Sequence, residues 1–218
     1  MQRLTRLLVC GGTGILREVF GKHCPPRYLP AKLKDPTVAD KLKAAGLTRR
    51  QWECLYPSPG GYGQSKDFDL ALLFQLLRTI CGITPPSKGW FALPATTDAS
   101  LAADLVRTKN FCNIVYRHLQ EPLDIENENL HVLRQEIQGT LLGIAKSISR
   151  AKKNEWHATI DKLLTDPLTA DDEKYVQELE RWYEDEKLRK YLPIYCLNTN
   201  YYMSVSYTHL TLPTSDLV

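Results

Sequence analysis

The sequence predicts an all-α fold, with long amphipathic helices and short flanking ones. Three observations predict it. Apolar residues recur at spacings of three and four through several long stretches, the period of a buried helical stripe. Helix start and stop signals punctuate those stretches at regular intervals. No alternating, strand-like pattern longer than a few residues precedes position 194, and no internal repeat is present.

The elements follow in chain order. Residues 4–20 begin with Leu4, Leu7 and Leu8 and resume at Ile15, Leu16 and Val19, with glycines between. They read as two helical pieces or one interrupted helix. Residues 24–36 hold four prolines and are expected to form a loop. Asp35-Pro36 sets an N-cap before a first-turn proline, and this short helix should run to Ala45 with Gly46 behind it. Thr48 and Gln51 have the spacing of a capping box for the next helix. A turn-rich loop occupies 57–63, and a strongly apolar helix is expected from Asp67 to Cys81, ended by Gly82. After a proline-containing loop at 83–97 comes the first long helix, from Asp98 or Ser100 to Leu119. The second should run from Asp124 to Ile148, with Leu130, Leu133, Ile137, Leu141, Ile144 and Ile148 buried. Within it Gly139 and Gly143 either cost stability or mark a close helix contact. Amphipathic helices at 151–164 and 170–189 complete the pattern.

These elements divide into a helical domain at 3–150, a helical extension packing on it at 151–190, and a tail at 191–218. The tail loses helical periodicity, and its last stretch, SYTHLTLPTSDLV from position 206, reads like translated sequencing-adapter read-through. It is expected to be disordered and non-native, so His209 carries no functional weight.

The 218 residues are 43% hydrophobic, enough for one sizeable core, and a net charge of +3 neither demands nor excludes a nucleic acid. Charge is nonetheless uneven: residues 27–50 carry seven Lys and Arg, whereas 166–186 are rich in Asp and Glu. The acidic helix reads as a solvated face or a surface that docks on a basic partner. The six cysteines lie far apart, without zinc-ribbon or thiol-redox spacing, so no metal site is expected. Thiols packed as small hydrophobes fit a reducing, cytoplasmic compartment. No segment approaches the length that crosses a bilayer.

Two stretches raise chemical questions. Cys10-Gly11-Gly12-Thr13-Gly14 looks like a phosphate-cradling turn, but no strand context surrounds it and no acidic residue follows on time. Its glycines are read as a helix break or a close packing contact. In the first long helix, Leu101, Leu105, Thr108, Cys112, Val115 and Leu119 form one seam, while Lys109, Asn113 and Arg117 line another face. That second stripe is either a solvated face or a set of sequence-independent phosphate contacts. His118 stands near the helix end, where a histidine can serve as a dipole partner or a packing residue. The four tryptophans read as core or rim anchors.

Ordered blocks of the chain carry a family resemblance: LTRLLVCGGTGILREVF at 4–20, LTRRQWECLYPSPGGYGQSKDFDLALLFQLLRTICGITPP at 47–86, GWFALP at 89–94, SLAADLVRTKNFCNIVYRH at 100–118 and LLTDPLTADDEKYVQEL at 163–179. They resemble the HEPN domains of the type found in the DAZ-interacting zinc-finger E3 ubiquitin ligase and related animal proteins. The resemblance implies an α-helical bundle built around two long antiparallel helices, one that often pairs with itself. It also implies metal-independent ribonuclease chemistry, in which an arginine stabilises phosphate charge and a histidine moves a proton. Asn113 and His118 match the motif's asparagine and histidine, but Cys112 stands at the arginine position. A thiol carries no fixed positive charge, and losing such a contact costs ~10² to 10³ in rate. Lys109 or Arg117 could substitute, although Arg117 points about 140° away from Cys112 on an ideal helix.

The expected function is therefore a non-catalytic HEPN interaction module, RNA-contacting through Lys109 and Arg117, of a cytosolic innate-defence or ubiquitin-linked signalling protein. Its expected partner is a second copy or another protein, and no cofactor is implied. The alternative is an active endoribonuclease using His118 and Asn113 with a substitute cation. A purely architectural domain, which would retain no RNA at low salt, is the third reading. Ubiquitin transfer by the chain itself lacks RING-type ligand spacing.

Overall fold

The computed structural model describes residues 1–120 and 127–195, and every long element in them is helical. The chain opens with one continuous helix made of α1 (Gln2–Arg6), a π-helical turn (Leu7–Gly11) and α2 (Gly12–His23). This is the interrupted-helix alternative. The helix runs through the centre of the bundle, with Leu7, Leu8, Ile15, Leu16, Val19 and Phe20 all buried. The glycine-rich stretch lies inside it in right-handed helical conformation, so no phosphate-binding turn forms. The reason for at least one of these glycines is packing: a Cβ at Gly14 would run into the indole ring of Trp156.

Residues 24–36 are more ordered than a loop. A 3-10 turn (Pro26–Tyr28) leads into α3 (Leu29–Lys34). Pro30 falls in the first turn, where its missing N–H costs nothing, and Leu29 and Leu33, one turn apart, are buried. In α4 (Pro36–Ala44) the Asp35 carboxylate accepts from the Thr37 N–H at 2.8 Å. In α5 (Arg49–Leu55) Thr48 and Gln51 form the complete capping box. The apolar helix α6 (Leu70–Ile80) starts three residues later than its hydrophobic pattern suggests, because Asp69 caps it and Ser65–Asp67 form a 3-10 turn. Gly82, at φ 69°, turns the chain away.

The helices expected to be the long pair are α7 (Leu101–Gln120) and α8 (Asn127–Ile148), which the opening helix and the last helix of the chain match in length. They are antiparallel: Asp104 near the start of α7 lies against Gly143 near the end of α8. On α8 Ile137, Leu141 and Ile144 are fully buried, whereas Leu130, Leu133 and Ile148 are half-buried. The proposed start of α8 at Asp124 lies outside the described residues.

Gly139 and Gly143, alike in sequence, have opposite roles. A Cβ at Gly143 would strike the Asp104 carboxylate, while one at Gly139 would meet nothing. Gly143→Ala should therefore destabilise the protein by about 1–3 kcal/mol through overpacking. Gly139→Ala should stabilise it by about 0.5–1 kcal/mol through helix propensity. Thermal melts of the two variants against the parent check both signs.

After α9 (Arg150–Thr165) and a 3-10 turn (Ala170–Asp172), α10 (Glu173–Tyr195) closes the bundle. It continues past the expected end near 189 and through Pro193; a proline near the C-terminal end removes one N–H bond without necessarily stopping the helix. The remainder of the expected tail, from residue 196 on, lies outside the described residues. Ile160 and Leu164 of α9 and Leu179 and Trp182 of α10 enter the same core as α2 and α6. Basic side chains tie the helix ends. Arg6 is buried and donates to the carbonyls of Leu163, Asp166 and Pro167 at the end of α9. Lys22 donates to the Ser147 and Ile148 carbonyls at the end of α8. Both place a cation at the negative end of a helix dipole.

Candidate functional site on the first long helix

Helix α7 starts where its caps dictate. Ser100 Oγ accepts from the Ala103 N–H at 3.2 Å, and the Asp98 carboxylate accepts from the Ser100 N–H at 3.0 Å. Arg107 then fastens the preceding loop by donating to the carbonyls of Ala95 and Asp98 and to the Asp104 carboxylate. Asp104 is buried against α8, and that burial pushes its carboxyl above the ordinary range despite Arg107. This anchoring sets the rotation of the helix, so the seam of Leu105, Thr108, Cys112 and Val115 faces inward and is buried.

One face of α7 is covered by α10. Lys109 Nζ lies 2.6 Å from a Glu186 carboxylate oxygen, with both side chains mostly shielded from water. Further along, the Tyr116 and Tyr183 rings stack at 4.4 Å, and the Lys187 ammonium sits 4.8 Å from the Tyr183 centroid. Burial, then the charges of Glu180 and Glu184, push the Tyr116 hydroxyl up. Cys112 is fully enclosed. Burial pushes its thiol far above the ordinary range, and the neighbouring Glu178 and Glu186 add to that shift. The arginine position of the motif is thus a sealed site beside carboxylates, with no fixed positive charge of its own.

The other motif residues have different settings. Asn113 is half-buried, and its Oδ1 is shut off from solvent with no hydrogen-bond partner among the described residues. His118 is also half-buried, and its Nδ1 is in the same condition. Five residues separate them, which places them about 140° apart around an ideal helix. A single copy therefore does not bring the two side chains onto one face. Arg117 is exposed to solvent.

The stripe of Lys109, Asn113 and Arg117 thus divides. Lys109 is neither solvated nor available as an open phosphate contact, because Glu186 neutralises it. The acidic helix, read from sequence as a solvated face or a surface that docks on a basic partner, instead packs in part on its own chain, with Asp185 also meeting Arg50 at 3.5 Å.

Spacing alone did not reveal Phe91. Its ring is 82% exposed, yet Lys109 and Arg78 lie 5.2 and 5.3 Å from its centroid. It is held out by a neighbour, Trp90, whose ring meets Phe74 edge to face. Trp182 also contacts Phe74, Trp156 covers Gly14, and Trp52 packs on Tyr56, so all four tryptophans make contacts within the fold. Among the described residues no group of His, Cys, Asp and Glu could hold a metal ion, and no helix is long and apolar enough to cross a membrane.

Comparison with known proteins gives this helical site its context. The family described as DZIP3/hRUL138-like HEPN matches residues 26–176, more than half of the chain. The human (Homo sapiens) E3 ubiquitin-protein ligase DZIP3 is 31% identical over 117 residues, which is 51% of this chain and 10% of that protein. The mouse (Mus musculus) protein of the same name is 30% identical over 117 residues, with the same coverage. The chain thus spans about a tenth of the length of the curated relatives it matches. No solved structure matches it significantly. With an all-helical bundle and a family match that spans the whole of the antiparallel helices α7 and α8, the chain belongs to the DZIP3/hRUL138-like HEPN family.

Proposed function

We propose that this chain is a non-catalytic HEPN interaction module of a cytosolic protein in ubiquitin-linked signalling or innate defence, working as a homodimer or docked on another protein. One observation carries the reading: the position at which the family motif needs an arginine is Cys112, enclosed beneath α10 beside Glu178 and Glu186. Phosphoryl chemistry needs positive charge aimed at the phosphate. Here the nearest cation on the helix, Lys109, is already paired with Glu186. RNA contact, on this reading, is left to Arg117 and is driven by phosphate charge. The names of the relatives support the ubiquitin link, and the exposed Phe91 supports a role in docking.

A second reading, an active endoribonuclease, is favoured by one observation. Asn113 Oδ1 and His118 Nδ1 are both shut off from solvent and without a hydrogen-bond partner among the described residues. Buried polar atoms left in this state are uncommon. The two readings separate in one assay. Labelled single-stranded RNA is incubated with the purified chain and with His118→Ala, without metal. No cleavage above the His118→Ala level is expected. Cleavage that disappears in the variant would establish the second reading.

A further inference from the structure

A half-open cavity of about 540 Å³ lies where α1, the first turns of α8 and the end of α9 meet. This volume falls within the range of small-ligand sites. Its wall is partly apolar, with Leu130 from α8, Leu164 from α9 and Leu168 from the connection that follows. Two arginines, Arg3 and Arg134, line it together with His131. None of the three is in an ion pair among the described residues. Arg3 is nevertheless held in place, because its Nη1 donates to the Leu164 carbonyl.

At this cavity a partly apolar wall is flanked by Arg3 and Arg134, with no acidic residue in the lining among the described residues. Such a site complements a ligand with a carboxylate at one end and a compact apolar group at the other. The guanidinium groups would fork onto the carboxylate oxygens, and the leucines would take the apolar part out of water.

We propose that this cavity binds a carboxylate carried on a short apolar group, supplied either by a medium-chain fatty acid or by the C-terminal leucine-like residue of a peptide. The assignment is independent of whether the chain cleaves RNA, since no residue of the α7 motif lines the cavity.

Calorimetric titration of the full 218-residue chain tests it. The probes are sodium octanoate for the fatty acid, N-acetyl-leucine for the peptide terminus, and octylammonium chloride as the charge-reversed control. At least one of the two acids should bind and octylammonium should not; which acid binds more tightly identifies the source. Arg134→Glu, an exposed substitution, should weaken that binding at least about tenfold, the loss expected for one charge-assisted contact. Leu168→Trp, at the 38%-exposed rim, should block it by filling the cavity. Both variants should melt like the parent. The proposal is overturned if neither acid binds, if octylammonium binds equally well, or if folded Arg134→Glu binds as the parent does.

Discussion

Arg6→Met should lower stability by about 3 kcal/mol and the melting temperature by roughly 10 °C. The arginine is only 6% exposed, and its guanidinium does several jobs at once. It donates to the Leu163 carbonyl at 2.8 Å, to Asp166 at 2.7 Å and to Pro167 at 3.1 Å. It also stands 3.5 Å from the Asp172 carboxylate. Methionine fills much of the same space but donates nothing. The variant would leave the last carbonyls of α9 without this cap and the Asp172 carboxylate without its cation. Arg6 itself is buried and makes several charge-assisted contacts at once, so the loss should exceed that of a surface charge.

The pH dependence at this junction has a definite sign. The Thr169 backbone N–H, and after it the field of Arg6, hold the Asp172 carboxyl below its ordinary range. The stabilisation is present above the ordinary carboxylate pKa and is lost as pH falls through the lower folded value. Arg6→Met should therefore narrow the stability difference between neutral and strongly acidic pH. Melts of parent and variant across that interval would show it. A variant that melts within 2 or so degrees of the parent, or about 0.5 kcal/mol, would mean that water replaces the guanidinium at little cost.

Restoring the motif arginine should harm the fold without creating an enzyme. Cys112→Arg is expected to cost about 3 kcal/mol or more and to yield no RNA cleavage above the His118→Ala background. Cys112 is fully buried in the seam beneath α10. A guanidinium there must displace core atoms, and overpacking alone costs about 1–3 kcal/mol. The nearby carboxylates offer only partial relief. Glu186 is already paired with Lys109, and Glu178 accepts from the Leu70 N–H at 3.4 Å, near the start of α6. Even if the new charge paired internally, it would face α10 rather than a phosphate. Thermal melting and the metal-free RNA assay give the two readouts. A stable Cys112→Arg protein that cleaves RNA in a His118-dependent way would show that α10 can leave this face, and that the missing arginine alone silences the site.

The contrast between these positions shows how far residue patterns reach. The capping box at Thr48 and Gln51 was legible because both partners lie within one turn of chain. So was the seam of Leu105, Thr108, Cys112 and Val115, since helical period alone places those residues on one stripe. The 24–36 stretch misled because prolines signal loops, although a first-turn proline is compatible with a helix once Leu29 and Leu33 are buried. Gly139 and Gly143 could not be told apart by spacing. What distinguishes them is Asp104, some forty residues away in sequence and in contact with only one of them.

The same division runs through the candidate site. Sequence by itself determined the all-helical class, the family, and the chemical fact that a thiol replaces the motif guanidinium. Local periodicity, caps and ordered blocks contain that information, because each depends on neighbours within a few residues. Only the tertiary structure decided that Lys109 is neutralised by Glu186, that Cys112 is sealed beneath an acidic helix, and that Arg3, His131 and Arg134 meet at one cavity. Those facts arise from contacts between residues far apart along the chain. The energy of a charge depends on what lies beside it and on how much water remains, and neither is written in its own segment.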